Sequence, residues 1–109
     1  MYVTVLKSKL HRVKVTSTNI DYDGSCGIDK GWMITLDIKE HEQVHVYNIS
    51  NGNRFVTYAF AEDAGSKKIS LNGAAAHKAD TGDLIIVCTY MMVGKDDKFQ
   101  EPKILKIED

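Results

Sequence analysis

Cysteine and proline are scarce in this chain of 109 residues, which has two cysteines and a single proline. Cys26 and Cys88 form neither a disulfide framework nor a C-x-x-C motif, so we expect two buried free thiols. No apolar run approaches the ~20 residues that a membrane helix needs. The N-terminal residues also lack the apolar segment and small-residue cleavage site of a secretory signal. We therefore expect a cytoplasmic protein that makes no membrane contact.

Neither sign of charge is in excess, because 14 basic and 15 acidic residues leave a net charge of −1. This balance excludes a general nucleic-acid-binding surface and a disordered acidic tail. Residues 1–20 contain no acidic side chain but carry four cations: Lys7, Lys9, Arg12 and Lys14. These cations either cover a solvated strand face or gather around an anionic ligand.

The length and the hydrophobic pattern predict one mainly β domain over residues 1–109. A chain of this length can bury about two-thirds of its extended surface, which suffices for one core but not for two domains. Apolar and polar residues alternate over 10–15 and 44–49, as they do in half-buried strands. Residues 50–53 contain an Asn-Gly pair, which predicts a hairpin with a returning strand over 54–60.

Two further strands are predicted over residues 68–71 and 84–90. The second is continuously apolar, which indicates a central strand buried on both faces. Helix is limited to a short segment that Asp29 can cap and that reaches Leu36, and to one turn over 74–78. Many short strands separated by turns in a small chain favour a barrel.

An H-E-x-x-H pattern occurs at His41–His45, and this pattern binds zinc when a helix presents both histidines on one face. The second histidine lies in an alternating segment that predicts a strand, in which positions i and i+4 are roughly 13 Å apart. Two side chains at that separation cannot share one metal ion, whose bonds to histidine nitrogen are about 2.0–2.1 Å long. The motif therefore predicts no zinc site.

Two segments admit both a structural and a functional interpretation. One is Asn72–His77, which is either a tight turn into a helix or a row of backbone N–H groups that holds a carboxylate or phosphate. The other is Tyr22–Cys26, which is either a polar turn or the site of a reactive peptide bond. In the second case the Ser25 hydroxyl reaches back to the Gly24 carbonyl carbon, and a strained backbone lets the peptide rearrange to an ester.

Several short segments occur in a fixed order along the chain. They are Lys9–Thr16, Tyr22–Cys26, Asn51–Tyr58, Gly65-Ser66, Asn72–His77 and Thr81–Asp83. Together they resemble the aspartate 1-decarboxylase family, from the N-terminus to about residue 90. Two features depart from the family pattern. Tyr47 stands where many members carry Trp, which keeps an aromatic wall but loses area, and the tail after Val93 resembles nothing that we can place.

The resemblance implies a small six-stranded double-psi β-barrel with short helices, working as a homotetramer. The implied reaction converts L-aspartate to β-alanine and CO₂, with the β-alanine used for pantothenate and hence coenzyme A synthesis. The implied cofactor is a pyruvoyl group derived from Ser25 by self-cleavage into residues 1–24 and 25–109, without metal or pyridoxal phosphate. Its ketone is the electron sink that a decarboxylation carbanion needs. Because small barrels fill with their own side chains, we expect the sites at subunit interfaces.

Residue roles follow from the same resemblance. Ser25 is the precursor of the catalytic group, Gly24 is left with the new carboxylate, and Thr57 bonds the Gly24 carbonyl oxygen during self-processing. Thr57 is also expected to contact the substrate. Tyr58 is the expected catalytic proton donor that quenches the carbanion.

Substrate binding is implied for Arg54, whose planar fork can hold a carboxylate, and for Lys9, which adds positive charge. The backbone N–H groups of Gly73, Ala74 and Ala75 form the expected substrate-binding turn. Four further residues are expected to line or support the site: His11, Tyr22, Tyr47 and Asn72. A non-catalytic β-barrel module that binds a small carboxylate could use the same groups, but only the enzyme requires a cut chain.

Overall fold

The computed structural model describes residues 1–107, and these form eight strands and two short helical segments. The mainly β class predicted from the sequence is confirmed. In chain order the elements are β1 (Tyr2–Lys14), β2 (Ser17–Asn19), β3 (Ser25–Asp29), α1 (Lys30–Leu36), β4 (Gln43–Asn48), β5 (Arg54–Glu62), β6 (Ile69–Asn72), a 3₁₀ helix (Gly73–His77), β7 (Leu84–Gly94) and β8 (Lys103–Lys106). Among the described residues, no helix is both long enough and apolar enough to cross a membrane.

All eight strands belong to one sheet, in the order β2-β6-β3-β5-β4-β7-β1-β8. Only Val15 and Thr16 separate β1 from β2 along the chain, although the two strands lie near opposite ends of this order. The Ile69 carbonyl oxygen, at the start of β6, accepts bonds from the Thr16 backbone N–H at 2.8 Å and from its hydroxyl at 2.9 Å. The sheet therefore closes on itself where β1 meets β6, and the result is a barrel.

Six strands lie between the two ends of the sheet order, which agrees with the six-stranded barrel that the resemblance implies. The total is eight because the three-residue β2 and the tail strand β8 add one strand at each end. β8 pairs in parallel with β1, from Ser8 opposite Lys103 to His11 opposite Lys106. The tail after Val93, which the sequence left unassigned, thus completes β7 and then supplies an edge strand.

The core occupies the inside of the barrel and is built from one face of each strand. On β4, Val44 and Val46 are fully buried, whereas His45 and Tyr47 on the opposite face are only half-buried. The prediction that residues 84–90 are buried on both faces is wrong for the single chain, because Ile86 and Tyr90 stay partly exposed on the outer face. The largest fully buried apolar side chains are Leu10, Ile28, Leu36, Ile69, Leu71 and Ile85.

The hairpin between β4 and β5 turns at the predicted Asn-Gly pair, where Gly52 adopts a left-handed φ of 79°. Three asparagine side chains of this hairpin donate to one acceptor, the carbonyl oxygen of Lys78. The distances are 3.3 Å from Asn48, 3.1 Å from Asn51 and 3.1 Å from Asn53. Because Lys78 caps the 3₁₀ helix, these bonds fix the hairpin relative to that helix.

Candidate active site

Ser25 begins β3 and is almost completely buried, with 6% of its surface exposed. Its hydroxyl donates to the carbonyl oxygen of Asp23 at 3.3 Å, so the side chain is turned back over the Gly24 peptide. Asn72 lies opposite Ser25 in β6, and its side-chain Nδ2 donates to Ser25 Oγ, also at 3.3 Å. The Ser25 oxygen is therefore bonded on two sides at the bond that it was predicted to attack.

Gly73 packs directly on Gly24, and no other residue type fits there. A Cβ atom on Gly73 would lie 2.6 Å from the Gly24 nitrogen, 2.7 Å from the Gly24 Cα and 2.8 Å from the Tyr22 carbonyl oxygen. The φ of Gly73 is 65°, in the left-handed region that side chains disfavour. The start of the predicted substrate-binding turn is thereby pressed against the predicted cleavage point.

Two clefts flank the Gly24–Ser25 bond. The larger has a volume of about 440 Å³ and is lined by Asp21, Tyr22, Asp23, Ser25, Phe60 and Asn72. The smaller has a volume of about 190 Å³ and is lined by Gly24, Phe55, Val56, Thr57, Ala74, Ala75 and Lys78. Most of the residues predicted for self-processing and for the substrate-binding turn thus surround one peptide bond.

A second group of predicted site residues lies on the outer face of β1, β7, β4 and β5. The Arg54 guanidinium stacks over the Tyr47 ring, 4.2 Å from its centroid, and the Tyr47 hydroxyl bonds the Tyr90 hydroxyl at 2.7 Å. Lys9 is paired with Cys88 across β1 and β7. Burial raises the pKa of the Cys88 thiol, and the nearby charges of Lys9 and Arg54 partly oppose that shift. Both cations therefore gather at one place on this face.

Tyr58 leaves β5 on the face opposite to Thr57, because successive strand residues alternate between faces. It is 37% exposed, and its ring centroid lies 6.0 Å from that of His41. Neither Tyr58 nor Arg54 lines either cleft at the Gly24–Ser25 bond. Phe60, which shares the Tyr58 face of β5, does line the cleft at Ser25, so the predicted nucleophile and the predicted proton donor lie on the same face of the sheet.

His11 lies on β1 and is half-buried. Burial lowers its pKa, and the positive charges of Lys9, Lys106 and Arg12 lower it further, so the imidazole is neutral near pH 7. Its Nδ1 atom is buried and has no hydrogen-bond partner among the described residues. The ring is thus a neutral polar group beside the Lys9 cation.

Within the H-E-x-x-H segment only the second half lies in a strand, as the sequence predicts for His45. His45 belongs to β4, while His41 precedes it with a left-handed φ of 68°. Glu42 is used elsewhere: its carboxylate pairs with the Lys7 ammonium at 2.8 Å and accepts from the Lys39 backbone N–H. Across residues 1–107, no three potential metal ligands come together.

Both cysteines are free and buried, as predicted. Burial and the negative charge of Glu62 raise the pKa of Cys26 to about 12. A thiol is a strong nucleophile only as the thiolate, and this one stays protonated. Cys26 also faces the core, whereas the Ser25 hydroxyl is turned back over the Gly24 peptide, so the hydroxyl is the group placed at this bond.

Two residues near the site, Ser70 and Glu62, were not predicted from the sequence. They are linked to Ser25 by hydrogen bonds that pass through Asn72. Asn72 Nδ2 donates to Ser70 Oγ at 3.4 Å, and the Ser70 hydroxyl donates to Glu62 Oε2 at 2.6 Å. Neither residue belongs to a recognisable motif. The available signal was that Ser70 and Asn72 are polar residues two positions apart in an otherwise apolar strand, which places them on one face.

The whole chain is similar to one family of known proteins. The aspartate decarboxylase family model matches residues 1–109. The aspartate 1-decarboxylase of Nitrosococcus oceani is 50% identical over all of this chain and 87% of its own length. That of Pseudomonas aeruginosa strain LESB58 is 53% identical over 83% of this chain and 71% of its own length.

A solved structure shows the fold independently. The rationally designed mkDPBB_sym_86 protein, a double-psi β-barrel, matches 71% of this chain and 90% of its own with a TM-score of 0.53. At 16% identity this likeness concerns the fold alone. The match of the family model to every residue, with relatives at about half identity, shows that this chain belongs to the aspartate decarboxylase family of enzymes.

Proposed function

We propose that this chain cuts itself between Gly24 and Ser25 and then converts L-aspartate to β-alanine and carbon dioxide. The observation that carries the proposal is the Ser25 hydroxyl, turned back over the Gly24 peptide and bonded by Asn72. The names of the relatives support the substrate. The use of β-alanine for pantothenate synthesis and a cytoplasmic location belong to the same proposal.

Self-cleavage begins when Ser25 Oγ adds to the Gly24 carbonyl carbon. The peptide C–N bond breaks, the acyl group moves to oxygen, and the proton lost from Oγ ends on the Ser25 nitrogen. Loss of the Ser25 Cα proton then expels the Gly24 carboxylate by breaking the Cβ–O bond. Hydrolysis of the resulting dehydroalanine consumes one water and releases ammonia, which leaves a pyruvoyl group at the head of residues 25–109.

Thr57 supports this step from the smaller cleft, which it shares with Gly24. Its hydroxyl can donate to the oxygen that becomes negatively charged when the carbonyl carbon is attacked, as an oxyanion-hole donor does. Gly73 prevents the other side of the Gly24 peptide from moving away, because the two backbones are in close contact. Both residues therefore favour attack at this bond over any other.

The surroundings of Ser25 fit a pyruvoyl group. The group is smaller than the residue it replaces, Asn72 Nδ2 provides a hydrogen-bond donor at that position, and the cleft of about 440 Å³ leaves room for a small amino acid. When formed, its ketone takes up the substrate amine and accepts the electron pair that departing carbon dioxide leaves. No further cofactor is needed for this chemistry.

The remaining residues act on the substrate. The Arg54 guanidinium, with Lys9 near it, holds the side-chain carboxylate that aspartate retains, while the Gly73–Ala75 amides bind from the turn. Tyr58 Oη gives its proton to the α-carbon after carbon dioxide has left. A small barrel fills with its own side chains, and neither Arg54 nor Tyr58 lines the clefts at Ser25, so a second copy of the chain supplies them to each Ser25, in a homotetramer with sites at its interfaces.

Borohydride reduction in the presence of aspartate tests the proposal. We expect the substrate to become covalently linked to the larger fragment and activity to be lost, because the amine is fixed to the residue 25 carbon. Added pyridoxal phosphate or metal should have no effect. An intact chain that binds aspartate without linkage would instead identify a carboxylate-binding module and contradict the enzyme.

A further inference from the structure

The hydrogen bonds around Ser25 extend to a carboxylate that neither the fold nor the proposed reaction has yet used. We propose that Glu62, acting through Ser70 and Asn72, is a positioning residue that orients the Ser25 hydroxyl for attack on Gly24. This inference rests on the proposed self-cleavage.

The contacts form one unbranched path along one face of the barrel wall. It runs from Glu62 Oε2 to Ser70 Oγ at 2.6 Å, on to Asn72 Nδ2 at 3.4 Å, and then to Ser25 Oγ at 3.3 Å. Ser70, Asn72 and Ser25 are each no more than 6% exposed. Water therefore competes little for these groups, and each relies on its neighbour in the path.

The charge on Glu62 sets the direction of every hydrogen bond in the path. A carboxylate only accepts, so the Ser70 O–H must point at Glu62. Ser70 Oγ then has only lone pairs to offer, so Asn72 must turn its NH₂ group and not its carbonyl toward it.

The same NH₂ group reaches Ser25 Oγ, which accepts there and directs its own hydrogen to the Asp23 carbonyl oxygen. One lone pair of Ser25 Oγ thus remains for the Gly24 carbonyl carbon. The negative charge acts on Ser25 by fixing this arrangement, without touching either reacting atom.

Gly27 shows that the protein makes space for this contact. It lies opposite Ser70 in the β3–β6 pairing, and a Cβ on it would fall 2.2 Å from Ser70 Oγ and 2.6 Å from Glu62 Oε2. Any side chain at this position would displace one of the two bonded atoms. The missing Cβ of Gly27 is therefore a condition for the Glu62–Ser70 bond.

Replacing the Glu62 carboxylate by an amide keeps the shape of the side chain, but the hydrogen bonds of the path no longer have a fixed direction. In Glu62→Gln the new amide can itself donate, which allows Ser70 to donate to a reversed Asn72 and Asn72 to accept from Ser25. Ser70→Ala removes the middle of the path. We expect each change to slow cleavage about tenfold or more, as for loss of a charged hydrogen bond.

The experiment follows the uncut fraction by intact mass after cell-free synthesis of the full chain. The matched control is Glu40→Gln, which removes the same charge from a carboxylate that bonds the backbone N–H of Ala61, next to Glu62. We expect the control to cut at the unmodified rate. The double variant Glu62→Gln with Ser70→Ala should cut no more slowly than Ser70→Ala alone, because both act through one path.

Thermal unfolding in a Ser25→Ala background, which cannot cut, separates positioning from folding. We expect Glu62→Gln to change the midpoint temperature of unfolding by no more than about 2 °C. A large fall in both variants, or additive slowing in the double variant, would assign the two residues to the fold and overturn the inference. If Glu62→Gln cuts at the unmodified rate, the inference about Glu62 is also overturned, but the proposed function is unaffected. Absence of any cut in the unmodified chain would instead reject the proposed function.

Discussion

Arg54 interacts with two neighbours, with one through the planar shape of its guanidinium and with the other through its charge. Its planar face stacks on the Tyr47 ring, and its charge reaches the Cys88 thiol that Lys9 also faces. Arg54→Lys keeps the charge but loses both the stacking and the two-pronged contact with a carboxylate. We therefore expect kcat/KM for aspartate to fall about tenfold or more, through KM.

The control for this change is Arg12→Lys, which alters the only other arginine of the chain. Arg12 is exposed at an irregular point in the pairing of β1 with β7 and should tolerate the replacement. Steady-state kinetics on both variants decides the matter. An unchanged KM in Arg54→Lys would remove Arg54 from substrate binding.

Tyr58 is proposed to transfer a proton to the substrate. Loss of its hydroxyl should therefore reduce turnover without affecting chain cleavage or subunit assembly. Tyr58→Phe keeps the ring beside His41 and removes only the hydroxyl. We expect chain cleavage to proceed normally while kcat falls about 10²–10⁴-fold, the usual effect of losing a general acid. If turnover per cut chain is unchanged, another group supplies the proton.

At the scale of elements, Asp29 joins α1 to the loop between β5 and β6. Its carboxylate is 2% exposed and accepts backbone N–H bonds from Gly31 at 2.7 Å, Gly65 at 3.1 Å and Lys67 at 2.8 Å. Burial alone would raise its pKa, but the backbone hydrogen bonds, from Lys67 first, hold it below the ordinary value of 3.8. The folded state therefore favours the charged carboxylate.

A lowered folded-state pKa contributes stability that is present above pH 3.8 and is lost as the pH falls through the folded-state value. Asp29→Asn should lower the free energy of unfolding by about 1–3 kcal/mol at neutral pH, because one buried N–H loses its acceptor. The difference from the unmodified chain should shrink in acid. Urea unfolding at fixed protein concentration over several pH values measures both effects.

The exposed Asp63, in the same loop, provides the control as Asp63→Asn. It should leave the unfolding free energy within about 0.5 kcal/mol at every pH. A difference between Asp29→Asn and the unmodified chain that stays constant with pH would show that the carboxylate charge does not matter.

Elements with one buried and one exposed face were predictable from the sequence. β4 and β5 alternate along the chain, and the structure confirms both together with the hairpin between them. β3 was missed because all five of its residues are buried, which leaves no alternation to detect. The N-terminal half of β1 was missed for another reason: residues 2–6 pair with residues 90–94, and local sequence does not reveal such a distant partner.

The candidate site divides in the same way. The residues adjacent to the proposed cleavage point lie in short segments that the family resemblance identifies, and the structure brings Gly24, Ser25, Asn72 and Gly73 together. Ser70 and Glu62 join them only through the pairing of β3 with β6 and with β5. Contacts made across strands depend on register, which the sequence does not state.

At the scale of the whole molecule, the clefts at Ser25 within one barrel are lined by neither Arg54 nor Tyr58, the side chains assigned to the substrate. Co-expression of Ser25→Ala with Tyr58→Phe tests whether two chains share each site. In mixed oligomers the Ser25→Ala chain provides Tyr58 and its partner provides the cut Ser25, so we expect activity well above that of either variant alone. No recovery, or a fully active monomer, would place the complete site within one chain.

Strand pairing should keep both fragments together after the cut. Residues 1–24 contain β1 and β2, which pair with β7, β8 and β6 of the larger fragment. Separation therefore requires denaturing conditions. The fragments then differ in charge as well as size, with net charges of +2 for residues 1–24 and −3 for residues 25–109.

The most direct test is the intact mass of the purified full chain under denaturing conditions. We expect two species, residues 1–24 and residues 25–109, with the larger lighter by one ammonia than simple hydrolysis would leave it. Ser25→Ala should remain one unbroken, folded and inactive chain. A fully active preparation that consists wholly of unbroken chains would contradict self-cleavage at Gly24–Ser25.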